Sequence, residues 1–141
     1  MPYKSSLKSR ARKPSRKDVR ELEVKISFLE GLVARDPNYI DALQILGDHY
    51  TQRGMFDRSL QVDQQLSRLD PTNPLAFYNL ACSYALTQEM DLAAAALDKA
   101  LCLGYSDFKW LARDPDLRSL RKHPSFRLIK DKIRKLRVRI R

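Results

Sequence analysis

Glycine, cysteine and histidine are all scarce in this chain. Of 141 residues, four are glycine, two are cysteine and two are histidine. So few glycines suit an all-helical chain better than one rich in tight hairpins. No apolar run approaches the roughly 18 residues of a membrane span, so no transmembrane helix is expected. No apolar stretch follows the N-terminal charges, so a secretory signal is not expected either. Cys82 and Cys102 have neither metal-type nor redox-type spacing and read as reduced thiols of a cytoplasmic protein. His49 and His123 fall on different expected elements, and His49 reads as a partly buried interhelical residue. No phosphate loop, HExxH pair or nucleophile elbow is present. No enzyme activity, catalytic residue, metal site or cofactor is therefore expected.

Acidic residues are missing from one place in particular. Residues 1–17 (MPYKSSLKSRARKPSRK) hold seven basic side chains and no acid, and residues 121–141 hold ten basic side chains and one acid. The two ends carry +16, and the net charge of +10 leaves −6 for residues 18–120. This pattern speaks of partners and solubility, not of fold. Residues 1–17 contain too little apolar surface to offset ordering entropy, which predicts a disordered basic tail. They also have the composition of a mitochondrial transit peptide, but Pro2, Pro14 and the lack of an apolar face spoil its helix.

What the middle of the chain does have is an echo. Leu43-x-x-Leu46-Gly47-x-x-Tyr50 returns 34 residues later as Phe77-x-x-Leu80-Ala81-x-x-Tyr84. Asp36-Pro37 returns as Asp70-Pro71, and Asp57 returns as Asp91. Such a period marks one supersecondary unit stacked on its copy. The spacing predicts helices over about 39–53, 56–68, 73–87 and 90–103. Gly54 punctuates the first pair, Thr72 or Asn73 caps the third helix with Pro74 at its first position, and Gly104 closes the fourth. A preceding helix, 19–35, carries Val19, Leu22, Ile26, Leu29 and Val33 on one stripe. Asp107 caps a short helix, Leu117 and Leu120 start another turn, and Pro124 opens a last helix. There Phe126, Ile129, Ile133, Leu136 and Ile140 share a face amid Lys and Arg.

These residues resemble the tetratricopeptide repeat, a helix–turn–helix unit of 34 residues. The resemblance implies an all-α, right-handed helix–turn–helix repeat solenoid with a helical C-terminal cap. Its parts are the tail 1–17, a repeat domain 18–106 and a cap with basic helix over 107–141. The repeat domain comprises a partial repeat helix 19–35 and repeats at about 40–73 and 74–107. Small residues at Gly47, Ala81, Ser59 and Ala93 fit close helix approach, and Tyr50 and Tyr84 fill gaps. Asp63, Leu66 and Tyr105 depart from the pattern, which has a large apolar residue, an alanine and a proline there. The block DPDLRSLRKHPSF resembles the tail that closes some bacterial repeat proteins of this type.

In that family the first helix of each pair lines a concave groove. The groove positions implied here are Asp41, Gln44, Asp48 and Gln52, then Leu75, Tyr78, Asn79, Cys82 and Leu86. Only Asn79 survives from the pattern that grips a peptide carboxylate, and Asp48 would repel one. The implied partner is another protein's basic or amphipathic segment, extended or helical. The basic ends are a separate candidate. Arg10, Arg12, Lys13, Arg16, Lys17, Lys130, Arg134, Arg137 and Arg139 could follow the phosphates of a nucleic acid or ribosome. They could equally lie on an anionic membrane or serve only solubility. The Ile129–Ile133–Leu136 stripe offers a dimer face.

Overall fold

The computed structural model describes residues 14–140, without the side chain of Ile140. Arg10, Arg12 and Lys13 of the expected tail lie outside the described residues. Eight α-helices and one 3-10 turn, and no strand, occur among the described residues. The chain divides into two compact units between Leu69 and Asp70.

The first unit contains α1 (Arg16–Arg35), α2 (Ile40–Arg53) and α3 (Phe56–Leu69). α1 takes in the last two residues of the expected tail, because Ser15 and Asp18 form a reciprocal capping box with both bonds at 3.1 Å. Arg16 and Lys17 therefore belong to a helix and not to the tail. α1 stops at Asp36, where Pro37 forces the backbone out of helical geometry. The core joins Ile26 and Leu29 of α1 to Leu43, Leu46 and Tyr50 of α2 and to Val62 and Leu66 of α3. Asp63, one of the departures from the repeat pattern, is buried among them.

At the crossing of α2 and α3, a Cβ added to Gly47 would meet Val62 Cγ1 at 3.2 Å and Asp63 Oδ1 at 3.5 Å. Glycine is what allows the approach. The hydroxyls of Thr51 and Ser59 lie 2.7 Å apart, and both reach the Gly47 carbonyl oxygen, at 3.1 and 3.2 Å. The residues 34 positions on from Gly47, Thr51, Ser59 and Val62 are all alanines: Ala81, Ala85, Ala93 and Ala96. A wide Val62 opposite a bare glycine in one copy becomes two alanines in the other.

The second unit contains α4 (Pro74–Leu86), α5 (Met90–Cys102), α6 (Phe108–Leu111), a 3-10 turn (Pro115–Leu117), α7 (Arg118–Arg121) and α8 (Phe126–Ile140). Asn73 caps α4, its side chain accepting from the Leu75 N–H at 3.0 Å, with Pro74 next to it. The core of this unit draws Leu80, Leu97 and Leu101 from the helix pair. Leu111, Leu117, Leu120, Phe126 and Ile129, all C-terminal to the pair, complete it.

The 34-residue period is present in the backbone. The Met55 N–H donates to the Tyr50 carbonyl at 2.8 Å, and the Glu89 N–H donates to the Tyr84 carbonyl at 2.8 Å. The bonds from Tyr39 to Asp36 and from Asn73 to Asp70 correspond in the same way. Between the helices of each pair one residue takes left-handed geometry: Gly54 at φ 83° and Gln88 at φ 67°. Glycine enters that region freely, whereas a residue with a Cβ does so at a cost of about 1 kcal/mol. No neighbour lies within 4 Å of a Cβ added at Gly54, so only conformation is at stake there. Gln88→Gly is expected to stabilise the chain by up to about 1 kcal/mol, and Gly54→Gln to destabilise it by a similar amount. Paired thermal and urea denaturation curves check both signs.

Candidate functional site

The expected groove positions do not share one environment. On α2, Asp41 is exposed and Gln44, Asp48 and Gln52 are half-buried. They follow steps of three and four along the helix, so they form one stripe. Beside it stands Ile45, 49% exposed, an apolar side chain that the repeat pattern did not mark. Its signal in the sequence was its place between two acidic stripe positions, four residues after Asp41 and three before Asp48. Gln52 Nε2 reaches Asp48 Oδ2 at 3.4 Å. The adjacent His49 has its pKa lowered, chiefly by burial, with Lys25 acting the same way and Asp48 opposing. The imidazole is thus held toward its neutral form, and the acidic stripe keeps its sign.

The second copy differs. Tyr78, Asn79 and Cys82 are buried, at 2%, 1% and 0% exposure. They are not groove surface. The segment after the repeat packs onto α4 and seals them. Tyr78 donates its hydroxyl hydrogen to Asp114 Oδ2 at 2.6 Å, and the Cys82 thiol reaches the same oxygen at 3.7 Å. Asp114 Oδ1 accepts from the Asp116 N–H at 2.9 Å, which caps the 3-10 turn. Tyr105 stacks on Tyr78 with ring centroids 4.2 Å apart. Arg121 donates to the carbonyls of Leu111 and Asp114, at 2.9 and 2.8 Å. Leu75 and Leu86, the remaining groove positions, are half-buried.

Cys82 Sγ and one carboxylate oxygen each of Asp114 and Asp116 lie within 4.8 Å of one another, all buried. Such a trio has the donor types of a metal site. The Asp114 carboxylate already accepts a phenol, a thiol and a backbone N–H. That satisfied pattern is what a structural polar core needs.

The last helix carries four of the candidate cations, Lys130, Arg134, Arg137 and Arg139. Its expected apolar face is largely consumed inside the unit: Phe126 and Ile129 are buried, and Ile133 and Leu136 are half-buried. Ile129, at the head of the stripe that could support a dimer, is 1% exposed. Lys132 is drawn onto α5, bonding Asp98 Oδ1 at 2.6 Å, and Ser125 bonds Asp91. Lys130, Arg134 and Arg137 line one groove between α6 and α8, with a volume of about 580 Å³. Its floor includes Phe108, Phe126 and Ile133. Arg139 is exposed and does not line it. Arg16 and Lys17 belong to the first unit, on α1. Of the candidate cations on α8, Lys130, Arg134 and Arg137 thus share one groove and Arg139 stands outside it.

No protein-family model matches the chain. The chain is similar to a curated protein of Arabidopsis thaliana whose name marks it as chloroplastic, with 34% identity over 83 residues. Those residues are 57% of this chain and 25% of the relative, so this chain spans about a quarter of that protein's length. No helix among the described residues is long and apolar enough to cross a membrane.

Buried phenols dominate the titration of the fold. Burial, reinforced by a hydrogen bond to Glu30, raises the Tyr50 pKa to about 12. Burial raises Tyr78 and Tyr105 as well. A raised phenol contributes stability that is whole below its unfolded pKa of about 10. That contribution is lost as pH rises through the folded value. Denaturation midpoints should therefore be insensitive to these groups up to about pH 10 and fall above it, with Tyr50 losing its share between about 10 and about 12. Tyrosinate absorbance should rise together with unfolding. Tyr78→Phe removes a buried bond to a carboxylate and should cost about 1–3 kcal/mol in urea denaturation at neutral pH.

Proposed function

We propose that the chain is a tetratricopeptide-type repeat protein that serves as a non-enzymatic adaptor and binds a basic or amphipathic segment of another protein. The observation that carries this is the doubled helix pair, whose 34-residue period is present in both sequence and backbone hydrogen bonds. Repeat stacks of this kind present surfaces to partners. The solvent-facing part of the implied groove is the α2 stripe, where Asp41 and Asp48 flank the exposed Ile45. An acidic stripe with an apolar centre suits a partner with basic residues around an apolar anchor.

The competing reading is docking on nucleic acid or the ribosome through the basic ends. It draws on Lys130, Arg134 and Arg137 in one groove. A cytoplasmic address accompanies the adaptor reading and rests on two free thiols. The chloroplastic address in the relative's name is its competitor.

A synthetic peptide with lysines around leucines, titrated against the full chain, tests the adaptor reading. Binding is expected to weaken about tenfold in Asp48→Lys with Ile45→Ser, a loss of about 1.4 kcal/mol. Nuclease treatment should leave partners recovered from extract unchanged. Loss of those partners on nuclease treatment, with peptide binding indifferent to the α2 changes, would favour the nucleic-acid reading. Tyr78 is unsuited to such a test, since changing it perturbs the core.

A further inference from the structure

We propose that the groove between α6 and α8 is a second binding surface, opposite in charge to the α2 stripe, and that it takes an acidic amphipathic segment of another protein. None of the residues lining the groove is acidic. Its rim carries Lys130, Arg134 and Arg137, all exposed. Lys130 has no ion-pair partner among the described residues. Arg134 reaches Asp131 at 3.4 Å across a largely exposed pair, which is worth little. The Arg137 guanidinium lies 5.8 Å from the Phe108 ring centroid, so one cation is already held over the apolar floor. Val138 extends that floor and is 72% exposed.

The groove combines apolar floor with cationic rim, and each half excludes a simpler ligand. A phosphate backbone needs cations and no floor. Of the two rings in the floor, Phe108 already has a guanidinium over it and Phe126 is buried, which leaves base stacking poorly served. A membrane-lying helix needs its apolar face outward. Here Phe126 and Ile129 of that face are spent inside the unit. What fits both halves is a segment with aliphatic or aromatic side chains on one side and carboxylates along the edge.

The test uses the full chain and a fluorescently labelled amphipathic peptide of Leu, Phe and Glu. Its controls are a scrambled peptide of equal composition and a peptide with Lys for Glu. Anisotropy should show binding of the first, about tenfold weaker binding of the scrambled peptide, and none of the Lys peptide. Lys130→Glu with Arg134→Glu should weaken binding about tenfold, and Val138→Asp several-fold. Both changes lie on exposed side chains, and a thermal melt of each variant confirms that the fold is kept. Asp41→Lys with Asp48→Lys on α2 should leave this affinity unchanged, which separates the two surfaces. Equal binding of the ordered and scrambled peptides would overturn the proposal. So would indifference to Val138→Asp, or tighter binding of duplex DNA or of phosphatidylserine vesicles than of the peptide.

Discussion

A buried carboxylate, Asp114, decides what is surface and what is core in the second unit. It is fully buried, and a buried polar group must find partners or incur a desolvation cost. Its partners come from α4, through Tyr78 and Cys82, and from its own turn, through the Asp116 N–H. Satisfying it fastens the segment after the repeat to one face of α4. Arg121 then ties the Leu111 and Asp114 carbonyls together. The face of α4 that the repeat pattern offers to a ligand is closed by this arrangement. The groove between α6 and α8 is its by-product.

In the first unit Ile45, the residue equivalent to the buried Asn79, stands exposed on α2 among the described residues. The two helix pairs share a backbone but solve their crossings differently. Gly47 with Val62 and two hydroxyls answers one crossing, and four alanines occupy the equivalent positions in the other. Total volume at the crossing is what packing constrains, so it can be divided in more than one way. Asp63 is accommodated on the same terms. It is buried beside the one position where glycine leaves room.

The helices were legible because their signals are local. Ser15 with Asp18, Asn73 with Pro74, and Gly54 each fix an end with groups within three residues. The left-handed residue at Gln88 was not legible from its own identity, since glutamine carries no preference for that region. Only the echo of Gly54 at the same offset points to it. The burial of Tyr78, Asn79 and Cys82 was illegible for a stronger reason. A repeat pattern assigns a residue its place in the unit, but the cover on that residue comes from Asp114, 36 residues beyond Tyr78 and outside any repeat. The charge asymmetry was plain in composition, yet composition could not say that Lys132 is drawn onto Asp98 while Lys130 is not. Face assignment on a helix flanked by two neighbours requires those neighbours.

The opposite signs of the two surfaces carry a consequence for partners. The α2 stripe has carboxylates around an apolar centre, and the α8 groove has cations around an apolar floor. A ligand that suits one is repelled by the other, because like charges brought together cost more than an unmade contact. A single acidic amphipathic segment could satisfy the groove but never the stripe, and a single basic amphipathic segment the reverse. On the two readings proposed, each unit would take its own class of segment. Exposed rim charges weaken as salt screens them over about 8–10 Å, whereas burial of Ile45 or Val138 does not. On the proposed readings, sign would select which partner arrives and the apolar centre would decide whether it stays.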